Sequence, residues 1–121
     1  MSDKSLTVEE CGMVVAALNR LAEYIHDWAV RKGFWEHGAS RNDGEMIALM
    51  HSELSEALEA LRVHPACDRD VPDFTAVEVE LADCIIRILD TAQARGWRIG
   101  DAIIAKMVFN EGRLHKHGKA F

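Results

Sequence analysis

The chain has 121 residues, 49% of them hydrophobic and 28% charged, which describes one folded domain over 1–121 and argues against disorder. Its net charge of −6 speaks against a general nucleic-acid polymer binder, since phosphate backbones are held by basic surfaces. The charge is uneven: Lys106, Arg113, Lys116 and Lys119 oppose only Glu111 at the C-terminal end, a balance of about +3 that leaves about −9 for the rest. Cys11, Cys67 and Cys84 have no Cys-x-x-Cys spacing, no secretory leader is visible, and no apolar run approaches the roughly 20 residues of a membrane span. The expectation is a cytoplasmic protein that does not enter a membrane.

Thr7 and Glu10 form a capping-box pattern and open a first helix that runs to about Lys32. Its apolar positions Cys11, Val14, Val15, Leu18, Leu21, Ala22, Ile25, Trp28 and Ala29 recur at spacings of three and four. About 25 residues make a rod of roughly 37 Å, long for a small monomer. Met13, Ala17 and Tyr24 add a second apolar edge, which predicts a homo-oligomer. Gly33 to Gly44 reads as a loop, with Asn42 or Asp43 capping a second helix over 45–63. The stripe Ile47, Met50, Leu54, Leu58 and Leu61 is expected to face the core. His64 to Asp73, which holds both prolines, ends that helix. A third helix starts at Phe74 or Thr75, again with a capping box between Thr75 and Glu78, and stops at Gly96. The fourth begins between Ile99 and Asp101, reaches about His115 and leaves a basic tail over 116–121. No segment alternates apolar and polar residues as a half-buried strand does. The fold class is therefore all-α, a four-helix bundle-like protomer.

Glu53 and Glu56 on the second helix, and Glu80 and Asp83 on the third, are two acidic pairs at i and i+3, separated by 23 residues. Each pair borders an apolar face. On the third helix only a strip of Glu80, Asp83, Arg87 and Asp90 interrupts Val77, Leu81, Cys84, Ile85, Ile86, Ile88 and Leu89. Four carboxylates converging beside a core repel each other and lose hydration unless a cation neutralises them. Oxygen-only ligands select Mg²⁺, with Mn²⁺ as a substitute. On the fourth helix Lys106, Asn110 and Arg113 lie at i, i+4 and i+7 and suit a phosphate group. A solvated helix face explains either pattern taken singly.

These residues also carry a family resemblance. Lys32-Gly33-Phe34-Trp35, the stretch Gly44 to Ala57, Glu80-Leu81-Ala82-Asp83, and Lys106 through Asn110 and Arg113 to Lys119 resemble the MazG-like all-α nucleoside triphosphate pyrophosphohydrolases over residues 20–121. The resemblance implies that Glu53, Glu56, Glu80 and Asp83 hold Mg²⁺ and serve catalysis, and that Lys106, Asn110, Arg113, Lys116 and Lys119 meet the triphosphate. It implies a homodimer or homotetramer and hydrolysis between the α and β phosphates. Phe34, Trp35, Arg41 and Asn42 are the expected base and sugar contacts, since aromatic faces stack on any base, although Asn42 equally suits an N-cap. The alternative from another class is a non-catalytic helical interaction module with an acidic partner-binding face; phosphoribosyl-ATP is an alternative substrate. Glu23-x-x-His26 lacks the second Glu-x-x-His of a di-iron bundle, and His64 with Cys67 lacks two further zinc ligands.

Overall fold

A computed structural model describes residues 4–36, 41–63 and 67–121. It holds four helices: α1 (Val8–Arg31), α2 (Asp43–Arg62), α3 (Ala76–Arg95) and α4 (Ile99–Glu111). The pairing of His64 with Cys67, residues 37–40 of the loop ahead of α2 and residues 64–66 of the segment behind it lie outside the described residues. None of the described helices is long and apolar enough to cross a membrane.

The helix starts follow from local chemistry. Thr7 Oγ1 accepts from the Glu10 amide at 3.1 Å while the Thr7 amide donates to Glu10 Oε1 at 3.0 Å, and Thr75 and Glu78 repeat the arrangement at α3. Such caps satisfy amides that have no partner inside the helix, each worth about 1 kcal/mol. Asn42 is the N-cap of α2, its side chain accepting from the Glu45 amide at 3.1 Å. Gly96 ends α3 at φ 72°, a left-handed conformation that a side chain would strain.

Packing places the helices in the order α2, α3, α1, α4. Ala22 and Ile25 of α1 meet Leu89 of α3, and Ile99 closes over them. At the crossing of α4 with α1, a Cβ on Gly100 would stand 3.3 Å from Leu18 Cβ and 3.5 Å from the Val15 carbonyl. The missing side chain is what lets the two backbones approach.

Two expectations need correction. Of the α2 stripe only Met50 is half-buried, its carbonyl accepting from Cys84 Sγ on α3 at 3.5 Å; Met46, Glu53 and Ala57 are buried, while Ile47, Leu54, Leu58 and Leu61 are exposed. The row beside the stripe packs on α3, and among the described residues α2 has no comparable packing with another helix. Helix α4 ends at Glu111, four residues short of His115, because Gly112 caps it and turns the chain. Arg113 thus lies beyond the helix, its amide bonded to the Asn110 carbonyl at 3.0 Å. A short 3-10 turn over His115–Gly118 follows, with Lys116 and His117 at φ 53° and 55°.

Candidate metal centre

Helices α2 and α3 bring their acids to one place. Glu53 on α2 and Glu80 and Asp83 on α3 each offer a carboxylate oxygen, and the three lie within 4.8 Å of one another. Glu53 is only 7% exposed, because it sits on the α2 row that packs against α3. Glu56 is outside that trio but within hydrogen-bonding reach of both Glu53 and Glu80. Beside them Arg87, one helical turn beyond Asp83, bonds Glu53 Oε1 through Nε at 2.7 Å.

The electrostatics carry the mark of a site short of positive charge. Desolvation, then the hydrogen bond and charge of Glu56 and the nearness of Glu53 and Asp83, push the Glu80 carboxyl up to about 7. Asp83 is raised too, by desolvation and by Glu53, with Arg87 working against the shift and Asp68 adding to it. Burial alone would also raise Glu53, but the Arg87 guanidinium and the neighbouring hydrogen bonds hold it below the usual range. Clustered carboxylates that retain a proton near neutrality suit a divalent cation, and an all-oxygen donor set suits Mg²⁺ or Mn²⁺. The residues present therefore fit such an ion.

A stability profile checks this. Glu80 keeps a proton in the folded chain that the unfolded chain loses above about 4.5, so this group's contribution falls as pH rises from there through about 7. Asp83 acts in the same direction. Glu53 acts oppositely and lower down, its contribution being present above the unfolded value and lost as pH falls through its depressed one. Urea midpoints without divalent ions should fall between pH 5.5 and 7.5 and recover on adding Mg²⁺ at pH 7.5. A midpoint that rises over that interval, or ignores Mg²⁺, contradicts the cluster.

Two of these acids, Glu53 and Asp83, line a pocket of about 210 Å³. Ile25, Trp28, Ala29, Phe34, Met46, Leu49 and Ile86 form its apolar walls, and Arg41, Glu53, Asp83, Arg87, Asp90 and Thr91 its polar ones. Trp28 and Phe34 stand 5.8 Å apart with rings tilted by 34°.

Of the expected base contacts, Phe34 and Arg41 line this pocket and Trp35 does not. Trp35 Nε1 donates to both Asp90 oxygens at 3.0 Å, His26 meets its ring edge-on at 5.3 Å, and the Arg41 guanidinium lies 4.6 Å above it. Asp90 also bonds His26 Nδ1 at 2.8 Å. Arg95 joins this knot, with Nε on Asp43 at 2.7 Å and Nη2 on the Arg41 carbonyl at 2.6 Å. Trp35 thus fastens the loop after α1 to α3, and Asn42 is occupied as a cap.

Lys106, Asn110, Arg113, Lys116 and Lys119 do not line the pocket. Helix α4 packs on α1, and both Lys106 and Arg113 lie over the Phe109 ring, at 4.7 and 5.6 Å. Sequence reasoning left Arg87, Asp90 and Trp28 without a functional role. The spacing of Arg87 and Asp90 at four and seven residues beyond Asp83 was the signal that put them on the acidic side of α3.

No known protein family matches the chain, and neither a curated protein nor a solved structure is significantly similar to it. What the structure establishes, among the described residues, is an all-α arrangement of four helices whose acidic cluster can coordinate a divalent metal.

Proposed function

We propose that the protein is a Mg²⁺-dependent nucleoside triphosphate pyrophosphohydrolase that splits its substrate between the α and β phosphates, releasing a nucleoside monophosphate and pyrophosphate. The observation that carries this reading is one pocket whose wall holds Glu53 and Asp83, two members of the carboxylate trio, together with an aromatic pair. A hard cation and a flat base can occupy such a space together. Glu53, Glu80 and Asp83 would hold Mg²⁺, which when bound supplies charge neutralisation on the phosphates and makes an attacking water more acidic.

Within this reading Glu56 takes the proton from water, because it stands at the cluster without belonging to the trio and Glu53 is already bonded to Arg87. The water oxygen bonds to the α phosphorus, the bond from that phosphorus to the bridging oxygen breaks, and pyrophosphate leaves with the electron pair. Phe34 and Trp28, their ring centroids 5.8 Å apart, would together offer one aromatic wall to the base. Lys106, Asn110, Arg113, Lys116 and Lys119 remain proposed triphosphate contacts, which they can serve only from a second protomer or after the C-terminal segment moves. We place the reaction in the cytoplasm as nucleotide-pool house-cleaning by a homodimer or homotetramer; the free cysteines agree with a reducing compartment.

The test is incubation of the protein with Mg²⁺ or Mn²⁺ and a panel of ribo- and deoxyribonucleoside triphosphates, phosphoribosyl-ATP included, with separation of the products. Monophosphate and pyrophosphate are expected from at least one nucleoside triphosphate. Diphosphate plus phosphate, or no cleavage with either metal, overturns the reading and turns attention to a helical partner-binding role.

A further inference from the structure

Among the described residues two cations line the pocket, Arg41 and Arg87, and they differ in what they have left to offer. Arg41 Nη1 donates to the Phe34 carbonyl at 3.3 Å and its guanidinium carbon lies over the Trp35 ring, 4.6 Å from the centroid. Arg87 engages Glu53 through Nε alone; its terminal nitrogens Nη1 and Nη2 have no hydrogen-bond partner among the described residues. Its side chain is 40% exposed, against 9% for that of Glu53, so the ion pair anchors one edge of the guanidinium and leaves the other at the pocket wall. Arginine carries five donors in a rigid plane, a geometry that bonds two anions at once, which the point charge of a lysine does not reproduce.

We infer that Arg87 is a substrate-binding residue of the pocket, holding Glu53 in place through Nε while Nη1 and Nη2 take the oxygens of a phosphate bound at the carboxylate cluster. The inference rests on the proposed nucleotide chemistry and extends it. An arginine already immobilised by its ion pair gives up little rotamer freedom when the phosphate arrives. It also explains the cation's place in the strip Glu80, Asp83, Arg87: acids alone would repel a polyphosphate that approached beside its metal.

The probe is inorganic tripolyphosphate, titrated calorimetrically as its Mn²⁺ complex into Mn²⁺-saturated protein, with Mn²⁺ alone titrated separately. Charge-assisted hydrogen bonds are worth about 1.5–3 kcal/mol, or roughly 10- to 150-fold in affinity. Arg87→Met should weaken tripolyphosphate by that factor with the metal site saturated, and Arg87→Lys should recover part of the loss. If circular dichroism shows that Arg87→Met does not fold, Arg87→Lys carries the test, with a several-fold loss expected. Tripolyphosphate affinity unchanged within twofold in the folded variants, whatever happens to Mn²⁺ binding, makes Arg87 a counter-ion of Glu53 only and overturns the inference. Wild-type protein that binds Mn²⁺ without tripolyphosphate also overturns it and leaves the metal site standing. Failure to bind Mn²⁺ at all removes the proposed function and the inference with it.

Discussion

Asp83→Asn should cut turnover by about 10³-fold or more while making the metal-free protein more stable. The two effects have one cause. In the absence of metal, Asp83 is one of three carboxylates within 4.8 Å of each other, and its raised pKa reports that the fold disfavours its charge. Neutralising it relieves that repulsion. On the proposed reading the same change removes an anionic ligand from a cation that would supply several kcal/mol to the transition state, and each 1.36 kcal/mol is tenfold in rate. Glu53→Gln should match the loss of turnover but not the gain in stability, because it leaves Arg87 beside a neutral amide where it now bonds a buried carboxylate at 2.7 Å. Thermal melting supplies the second readout. Wild-type protein at 100 times the metal dissociation constant gains about 2.7 kcal/mol, a rise of roughly 10 °C for a chain of this size, and both variants should lose most of it. Activity within tenfold of wild type in either folded variant would sink the assignment of the metal ligands.

What could be read beforehand depended on how far apart the cooperating residues lie. The caps at Thr7, Asn42 and Thr75 were legible because each involves an amide only three residues away. The acidic pairs were legible because i and i+3 share a helix face and because α2 and α3 follow one another and pack together. Trp35 reads as a free aromatic in a glycine-bounded loop, yet its partner Asp90 is 55 residues further on, a contact that no local pattern encodes. The end of α4 was missed for a subtler reason: Ile103, Ile104, Met107 and Val108 continue the helical pattern, and a glycine at 112 lowers helix propensity without forbidding a helix. The leucines of α2 were misplaced because hydrophobic periodicity reports that a face is buried without saying by what. Glu53, read as bordering that face, turned out to be more buried than any of the stripe's leucines.

Those leucines lead to the second large effect, the collapse of an assembly when Leu58→Glu and Ile85→Glu are introduced. At 100° per residue, Leu54, Leu58 and Leu61 lie on the flank of α2 opposite Leu49 and Glu56, and Leu81 and Ile85 lie on the flank of α3 opposite Asp83 and Asp90. Because the two helices pack together, these residues form one apolar face behind the metal centre, with Leu58 59% and Ile85 53% exposed. The protomer exposes 9261 Å², whereas a folded monomer of 13.5 kDa is expected to expose about 6,500 Å². The excess is larger than the roughly 800 Å² per partner of a standard interface, and no large side chain among the described residues is fully buried. A second copy laid across α2 and α3 would supply the missing layer. In a two-fold assembly each substitution acts twice, and each removes about 1.5–3 kcal/mol of apolar burial before the cost of burying a carboxylate is added. Light scattering during gel filtration should show wild-type protein as a dimer or larger and the double variant as a monomer with a lower melting temperature. Wild-type protein that is monomeric at micromolar concentration, or a variant whose assembly is unchanged, would mean that something other than a second copy covers this face.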